Sequence, residues 1–229
     1  MAIQFIAPKP LNPLLPLHIQ CRNSISPCRG AQLSESVAWE EQIPPNAIRR
    51  KRDPSWRGGF SLGVDLGLSR TGVAISKGFT VRPLTVLELR GQKLELRLLD
   101  LAEKQEVDEF IIGLPKSSEG KETEQSNKVR SVAGRFAARA AERGWRVYLQ
   151  DEHGTSSEAL EHMIATGVSK SVRQGKLDAY AAMKVLERYF SESGKGIEAV
   201  VPKQPHLQNK LREGPPKDID FYSPTTDTY

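Results

Sequence analysis

The chain has 229 residues, with 33 Lys and Arg against 28 Asp and Glu and a formal net charge of +5. That length allows one full domain with extensions or two small domains, and no uninterrupted apolar run approaches the roughly 20 residues of a membrane helix. Lys9, Arg22 and Arg29, in a first stretch of 30 residues without Asp or Glu, carry three of the five net charges, so overall charge is a weak argument for a nucleic-acid partner and only local clusters can carry it.

Residues 1–30 are basic, broken by prolines and carry Ser24 and Ser26, which fits an organellar transit peptide. A plastid is preferred to a mitochondrion because the prolines spoil an Arg-rich amphipathic helix. A disordered tail of the same composition, leaving a cytoplasmic protein, is the alternative. Both cysteines, Cys21 and Cys28, lie in this leader, so the body has neither a disulfide framework nor a thiolate zinc site. Residues 31–59 read as a disordered basic linker with Pro44-Pro45 and the run Arg49-Arg50-Lys51-Arg52.

A folded core is expected over residues 60–190. Phe60 to Val64 and Val73 to Ile75 are apolar runs separated by glycines, the pattern of a tight hairpin. Asp65 sits near the end of the first run. A carboxylate there needs a cation, a metal or a turn to cap, because burying it unpaired is costly. Val81 to Leu89 reads as a third strand, with Pro83 favouring a sheet edge. Leu94, Leu98, Leu101 and Ala102 recur at helical spacing over Lys93 to Gln105, and Phe110 to Leu114 forms a short strand stopped by Pro115. Val129, Val132, Ala133, Phe136, Ala137 and Ala140 then make one apolar helical stripe, ended by Gly144. Arg146 to Gln150 is the next strand and delivers Asp151-Glu152 at its carboxyl end. Ser156 or Ser157 is placed to cap a helix over Glu158 to Ala165. A basic glycine-flanked loop, Gly167 to Gly175, resembles a mobile flap before the helix Lys176 to Phe190. Residues 191–229, rich in proline and polar side chains, read as a disordered tail.

Three antiparallel strands followed by alternating helices and strands predict an α/β fold, a mixed sheet with helices on both faces. On the last helix Asp178 lies in line with Ala181, Ala182, Val185 and Tyr189, which should face the sheet. Such a conflict between charge and packing marks either a functional site or a salt bridge, for instance to Lys176 or Arg173. Asp65, Glu152 and Asp178 come from separate elements that this order can bring together beside the sheet centre. Three acids without cationic cover repel one another, and Mg²⁺ or Mn²⁺ with oxygen ligands would relieve that repulsion.

Gly63-x-Asp65-x-Gly67-x-x-Arg70-x-Gly72-Val73-Ala74, then Ile112-Gly113-Leu114-Pro115, then Asp151-Glu152, then Asp178-Ala179-x-Ala181-Ala182 resemble, in order, the blocks of the YqgF/RuvX-type family of RNase H-like nucleases. The resemblance implies an RNase H-like mixed sheet and metal-dependent phosphodiester hydrolysis. It implies processing of the small-subunit (pre-16S) ribosomal RNA precursor, or resolution of Holliday junctions in branched DNA. It places catalysis and metal binding on Asp65, Glu152 and Asp178, with Asp151 as an alternative ligand because adjacent strand residues point to opposite faces. Arg70 first, then Lys170, Arg173 and Lys176, are the cations expected to hold nucleic acid, with Lys116 and Lys121 as further candidates for which a plain solvated surface is the stronger reading. Two departures stand out: Ser69 replaces a basic residue usual in the family, and His153 replaces an arginine. Each removes an expected phosphate contact and motivates a further alternative, a non-catalytic RNA-binding ribosome-assembly factor. Oligomeric state has no sequence signal.

Overall fold

The computed structural model describes residues 3–6, 39, 43–55, 58–78 and 80–215. Most of the expected leader, part of the linker and the end of the tail lie outside the described residues. In chain order the elements are β1 (Ile3–Ile6), α1 (Asn46–Arg52), β2 (Phe60–Leu66), β3 (Thr71–Lys77), β4 (Thr80–Leu87), α2 (Gly91–Lys104), β5 (Val107–Leu114), α3 (Glu124–Ala141), β6 (Arg146–Asp151), α4 (Thr155–Ala165), α5 (Lys170–Ser191), β7 (Glu198–Pro202) and α6 (Pro205–Glu213). The strands form one sheet in the order β1-β7-β6-β5-β2-β3-β4. β2, β3 and β4 pair antiparallel, β2, β5 and β6 pair parallel, and β7 runs antiparallel to both β6 and β1. This is the expected α/β mixed sheet. Pro83 sits on the edge strand β4 beside a bulge, where its missing N–H is tolerated.

Strand alternation divides the apolar residues between two helical layers. Leu62, Val64 and Leu66 of β2 join Phe110, Ile112 and Leu149 and pack against the stripes of α2 and α3. Ala74, Ile111 and Tyr148 face Ala182, Val185, Leu186 and Tyr189 of α5. Each large side chain fully buried in these layers contributes roughly 1.5–3 kcal/mol. Helix α3 starts at a capping box in which Thr123 and Ser126 satisfy each other's backbone N–H. Beyond its last residue the chain turns at Gly144, which donates to the Ala141 carbonyl at 3.0 Å and whose φ of +72° lies in the left-handed region favoured by glycine.

Helix α5 lies hard against the hairpin. A methyl group on Gly63 would stand 2.6 Å from Leu186 Cγ and 2.7 Å from the Ala182 carbonyl oxygen, and one on Gly72 would stand 1.8 Å from the carbonyl oxygen of Asp178. Both glycines are therefore required by close approach.

Three expectations are corrected. The linker holds α1, docked through a buried polar network at the amino ends of β5 and β6. The Glu109 carboxylate there accepts from Asn46 N–H (2.9 Å), Ser61 Oγ (2.6 Å) and Tyr189 Oη (2.8 Å). Arg146 donates to the Pro44 carbonyl at 2.8 Å and the Asn46 side chain at 3.0 Å and pairs with Asp108. Burial pushes the Glu109 carboxyl up against the pull of Arg146. Polar residues that look like linker composition are here the partners of buried charges.

The expected tail, likewise, holds β7 and α6. Val200 and Val201 are buried, Leu207 and Leu211 pack on Ala138 and Ala141, and Arg130 grips Glu198 with bonds of 2.6 and 2.8 Å. The apolar stretch is too short to stand out from its polar surroundings. The flap is the third correction, because α5 begins at Lys170 and leaves only a short turn after Gly167. Gly175 accepts helical geometry, and a methyl group there would meet nothing within 4 Å.

These two helix contacts predict opposite effects. Gly72→Ala should lower unfolding stability by about 3 kcal/mol, since backbone must yield to backbone. Gly175→Ala should raise it by up to about 1 kcal/mol through helix propensity. Urea denaturation of the two variants checks both; equal stabilities would contradict the packing described.

Candidate active site

The carboxyl ends of the parallel strands, the usual ligand side of an open sheet, carry the acids. Asp65 is the penultimate residue of β2 and faces α5, on the side opposite Leu66. Glu152 follows β6 and prolongs its pairing with β5, its N–H donating to the Leu114 carbonyl at 3.2 Å while Thr155 Oγ1 donates to its own carbonyl at 2.9 Å. Its side chain lies over Gly113, where a methyl group would stand 1.9 Å from Glu152 Oε2. Gly113 is thus the space the carboxylate occupies. Asp178 is delivered by α5 through the contact of its backbone with Gly72.

The electrostatics link the three. Burial, followed by the charge of Asp178, raises Asp65 to about 6. Burial, followed by Asp65 and then Asp151, raises Glu152 to about 8. Glu152 Oε2 and Asp178 Oδ2 are buried and receive no hydrogen bond. Asp178 Oδ2 has Arg70 Nε 2.9 Å away as an ion pair, off the line of the N–H, while Arg70 Nη1 donates to the Gln174 carbonyl at 3.2 Å. The partner of Asp178 is therefore Arg70, not Lys176 or Arg173. Among the described residues no three His, Cys, Asp or Glu side chains stand close enough to hold a metal ion in common. As a donor set the site nevertheless fits a hard divalent cation. It offers only carboxylates, two of their oxygens are orphaned, and Asp65 and Glu152 are held high by burial and then by neighbouring carboxylates. Asp65 and Glu152 are open to such an ion, and Asp178 is engaged by Arg70.

Asp151 is turned elsewhere. It pairs with Lys116 Nζ at 3.3 Å and accepts from the His153 N–H at 2.8 Å, which argues against it as a ligand. Arg173 is occupied within its own turn, donating from Nε to the Val168 carbonyl at 2.7 Å. Lys170 and Lys176 are exposed on the first turns of α5, and exposed Lys121 pairs with Glu119 at 2.6 Å. His153 is exposed.

Sequence reasoning missed three contributors. Gly113 appeared only as a motif letter. Arg188 Nη1 donates to the carbonyls of Asp151 and His153, at 3.1 and 2.9 Å, and holds the turn bearing Glu152. Arg90 Nη2 donates to Ser69 Oγ at 3.2 Å, so a guanidinium stands where the family's basic neighbour of Arg70 was expected. Neither arginine carries a sequence signal, because both reach the site from elements remote in the chain.

The family model described as RuvX: Holliday junction resolvase matches residues 59–192. A relative from Shewanella oneidensis named "Putative pre-16S rRNA nuclease" is 28% identical over 132 residues, covering 56% of this chain and 92% of that protein. Relatives of the same name from Cronobacter sakazakii and Escherichia coli O157:H7 are each 30% identical, covering 59% and 58% of this chain and 99% and 97% of theirs. Thermus thermophilus RuvC, solved in complex with a Holliday junction substrate, aligns at 17% identity over 63% of this chain and 100% of that one, with a TM-score of 0.44.

The raised acids set a pH dependence. Asp65 and Glu152 bind protons more tightly in the folded than in the unfolded chain, where ordinary carboxyl values of 3.8 and 4.5 apply. Between about pH 4 and 8 the native state therefore holds more protons, and their contribution to metal-free stability falls as pH rises through that window. Glu152→Gln should flatten the decline and be more stable than the parent at pH 8. Thermal midpoints of both proteins at pH 5 and pH 8, in chelator, check this.

Proposed function

The chain belongs to the RuvX family, hydrolases of the nuclease class acting on nucleic acid, and on that premise we propose that it is a divalent-metal-dependent endonuclease processing the precursor of small-subunit ribosomal RNA. The observation that carries this reading is the convergence of Asp65, Glu152 and Asp178 at one end of the sheet, with buried carboxylate oxygens lacking hydrogen bonds. Asp65 and Glu152 would hold Mg²⁺ or Mn²⁺, and Asp178 would join them once Arg70 is drawn away. Bound there, the metal would supply a Lewis acid for the phosphodiester and an activated water. The protein's own residues do the positioning. Arg70 offers a planar fork to a phosphate beside Asp65. Lys116 flanks the Gly-Leu-Pro turn on the other side, and exposed Lys170 and Lys176 extend the positive track along α5. Arg188 holds the turn that bears Glu152, and Gly113 leaves the space its carboxylate occupies. A plastid location is part of the proposal, supported by the basic, acid-free composition of residues 1–30.

Incubation of the purified chain and Mg²⁺ with an end-labelled pre-16S RNA and, separately, a four-way DNA junction tests the reading. The RNA should be cleaved, and Asp65→Asn, Glu152→Gln and Asp178→Asn should each lose about 100-fold or more in rate. Cleavage of the junction alone would make the protein a resolvase. No cleavage, with full complementation by Asp65→Asn, would make it a non-catalytic assembly factor.

Arg70 yields a separate expectation, because it serves the carboxylate in the free protein and the phosphate in the complex. Arg70→Gln should bind Mn²⁺ several-fold more tightly in a calorimetric titration without nucleic acid, and bind RNA about tenfold more weakly.

A further inference from the structure

A second cavity lies around the corner from the acids. The turn after β2 (Gly67 to Ser69), the start of α2 and the first turns of α3 enclose a cleft of about 180 Å³. It opens on the sheet face opposite Asp65, one residue along the same strand. Its floor is apolar, formed by buried Leu66, Leu94 and Val129 and half-buried Val132. Among the described residues its ionisable lining residues are the cations Arg90 and Lys128, both exposed, and Lys128 pairs at 2.8 Å with the exposed Glu124 one turn back on α3, a solvent-facing pair that a phosphate can replace. The amino terminus of α2, at Gly91, opens into the same space. At its lip stands Leu68, 71% exposed.

Apolar walls under a cationic rim fit a ligand with a flat, weakly polar body and an attached anion. A nucleotide has that composition. We propose that this cleft receives the base of an unpaired nucleotide next to the scissile phosphate, with Arg90 and Lys128 on the flanking phosphates and Leu68 against the base.

Continuity with the acid site favours this occupant. A strand whose phosphate lies at Asp65 and which runs on over the β2–β3 turn reaches the cleft directly, because Leu66, the last residue of β2, and Gly67 after it form part of the cleft wall. Ser69 orients Arg90 over the opening through their 3.2 Å contact, which gives the serine at that position a role. An unpaired base can be swung out of a helix at little cost, whereas a paired one must first be unstacked. The cleft would thereby direct cleavage to loops, bulges and single-stranded junctions. The inference rests on the nuclease reading, since it needs a nucleic-acid strand at Asp65.

Fluorescence anisotropy with the full chain in Ca²⁺ tests it, using two labelled RNA duplexes of equal length, one fully paired and one with a single unpaired adenosine. The bulged duplex should bind about tenfold more tightly. Val132→Phe, which fills the cleft, should bind both duplexes alike, and Lys128→Glu should lose most of the preference. Equal binding of the two duplexes by the parent protein would overturn the proposal whatever the variants do. Failure to bind either duplex would instead overturn the nuclease reading beneath it. A preference retained in Val132→Phe, with an unchanged melting curve, would place the recognition elsewhere.

Discussion

The close approach of α5 to the β2–β3 hairpin is the constraint on which the remainder depends. Two residues without side chains, Gly63 and Gly72, let helix backbone rest on strand backbone, and the Asp178 carbonyl occupies the volume a methyl group on Gly72 would need. Asp178 rides on that contact and is brought to the side of Asp65, although more than a hundred residues separate them. Burial first, and then neighbouring carboxylates, elevates Asp65 and Glu152, so packing rather than charge holds the acids together. Apolar burial of Ala182, Val185, Leu186 and Tyr189 along the same helix offsets the repulsion.

The two ends of the sheet treat buried polarity in opposite ways. At the amino ends of β5 and β6 the charges of Asp108, Glu109 and Arg146 are satisfied by Asn46, Ser61, Tyr189 and the Pro44 carbonyl. At the carboxyl ends, Glu152 Oε2 has no donor and Asp178 Oδ2 has only an off-axis arginine. On the function proposed above, the open end is the one a ligand would complete. Arg70 stands between the two conditions, pairing with one acid without donating a hydrogen bond to it.

Much of this was legible in the residues. The alternating apolar pattern of Phe60 to Leu66, the stripe from Val129 to Ala140 and the misplaced charge of Asp178 each have a local signature, and local signatures survive folding. The order of the elements then led to the mixed sheet. What escaped has no local signature. Asn46 in a polar stretch, Arg188 among other helical charges and Arg90 before a helix acquire their roles only from partners 20 to 100 positions away. Glycine spacing suggested a flap before α5, but glycine permits flexibility without imposing it, and the helix simply runs through Gly175. The short strand β7 was hidden for the reason short strands often are: a few apolar residues among polar ones look like surface until a neighbouring strand is there to bury them.

The way α1 is anchored limits how much of the amino-terminal segment the fold can lose. Arg146 takes its acceptors from Pro44 and Asn46, and Ile43 packs with Leu207 and Leu211 under the carboxyl-terminal helix. A peptidase removing the acid-free leader would take β1 from the edge of the sheet and leave β7 as the new outer strand. One cutting past Pro44 would strand a buried guanidinium and loosen both ends of the chain together. Truncation is therefore compatible with the fold only up to Pro44.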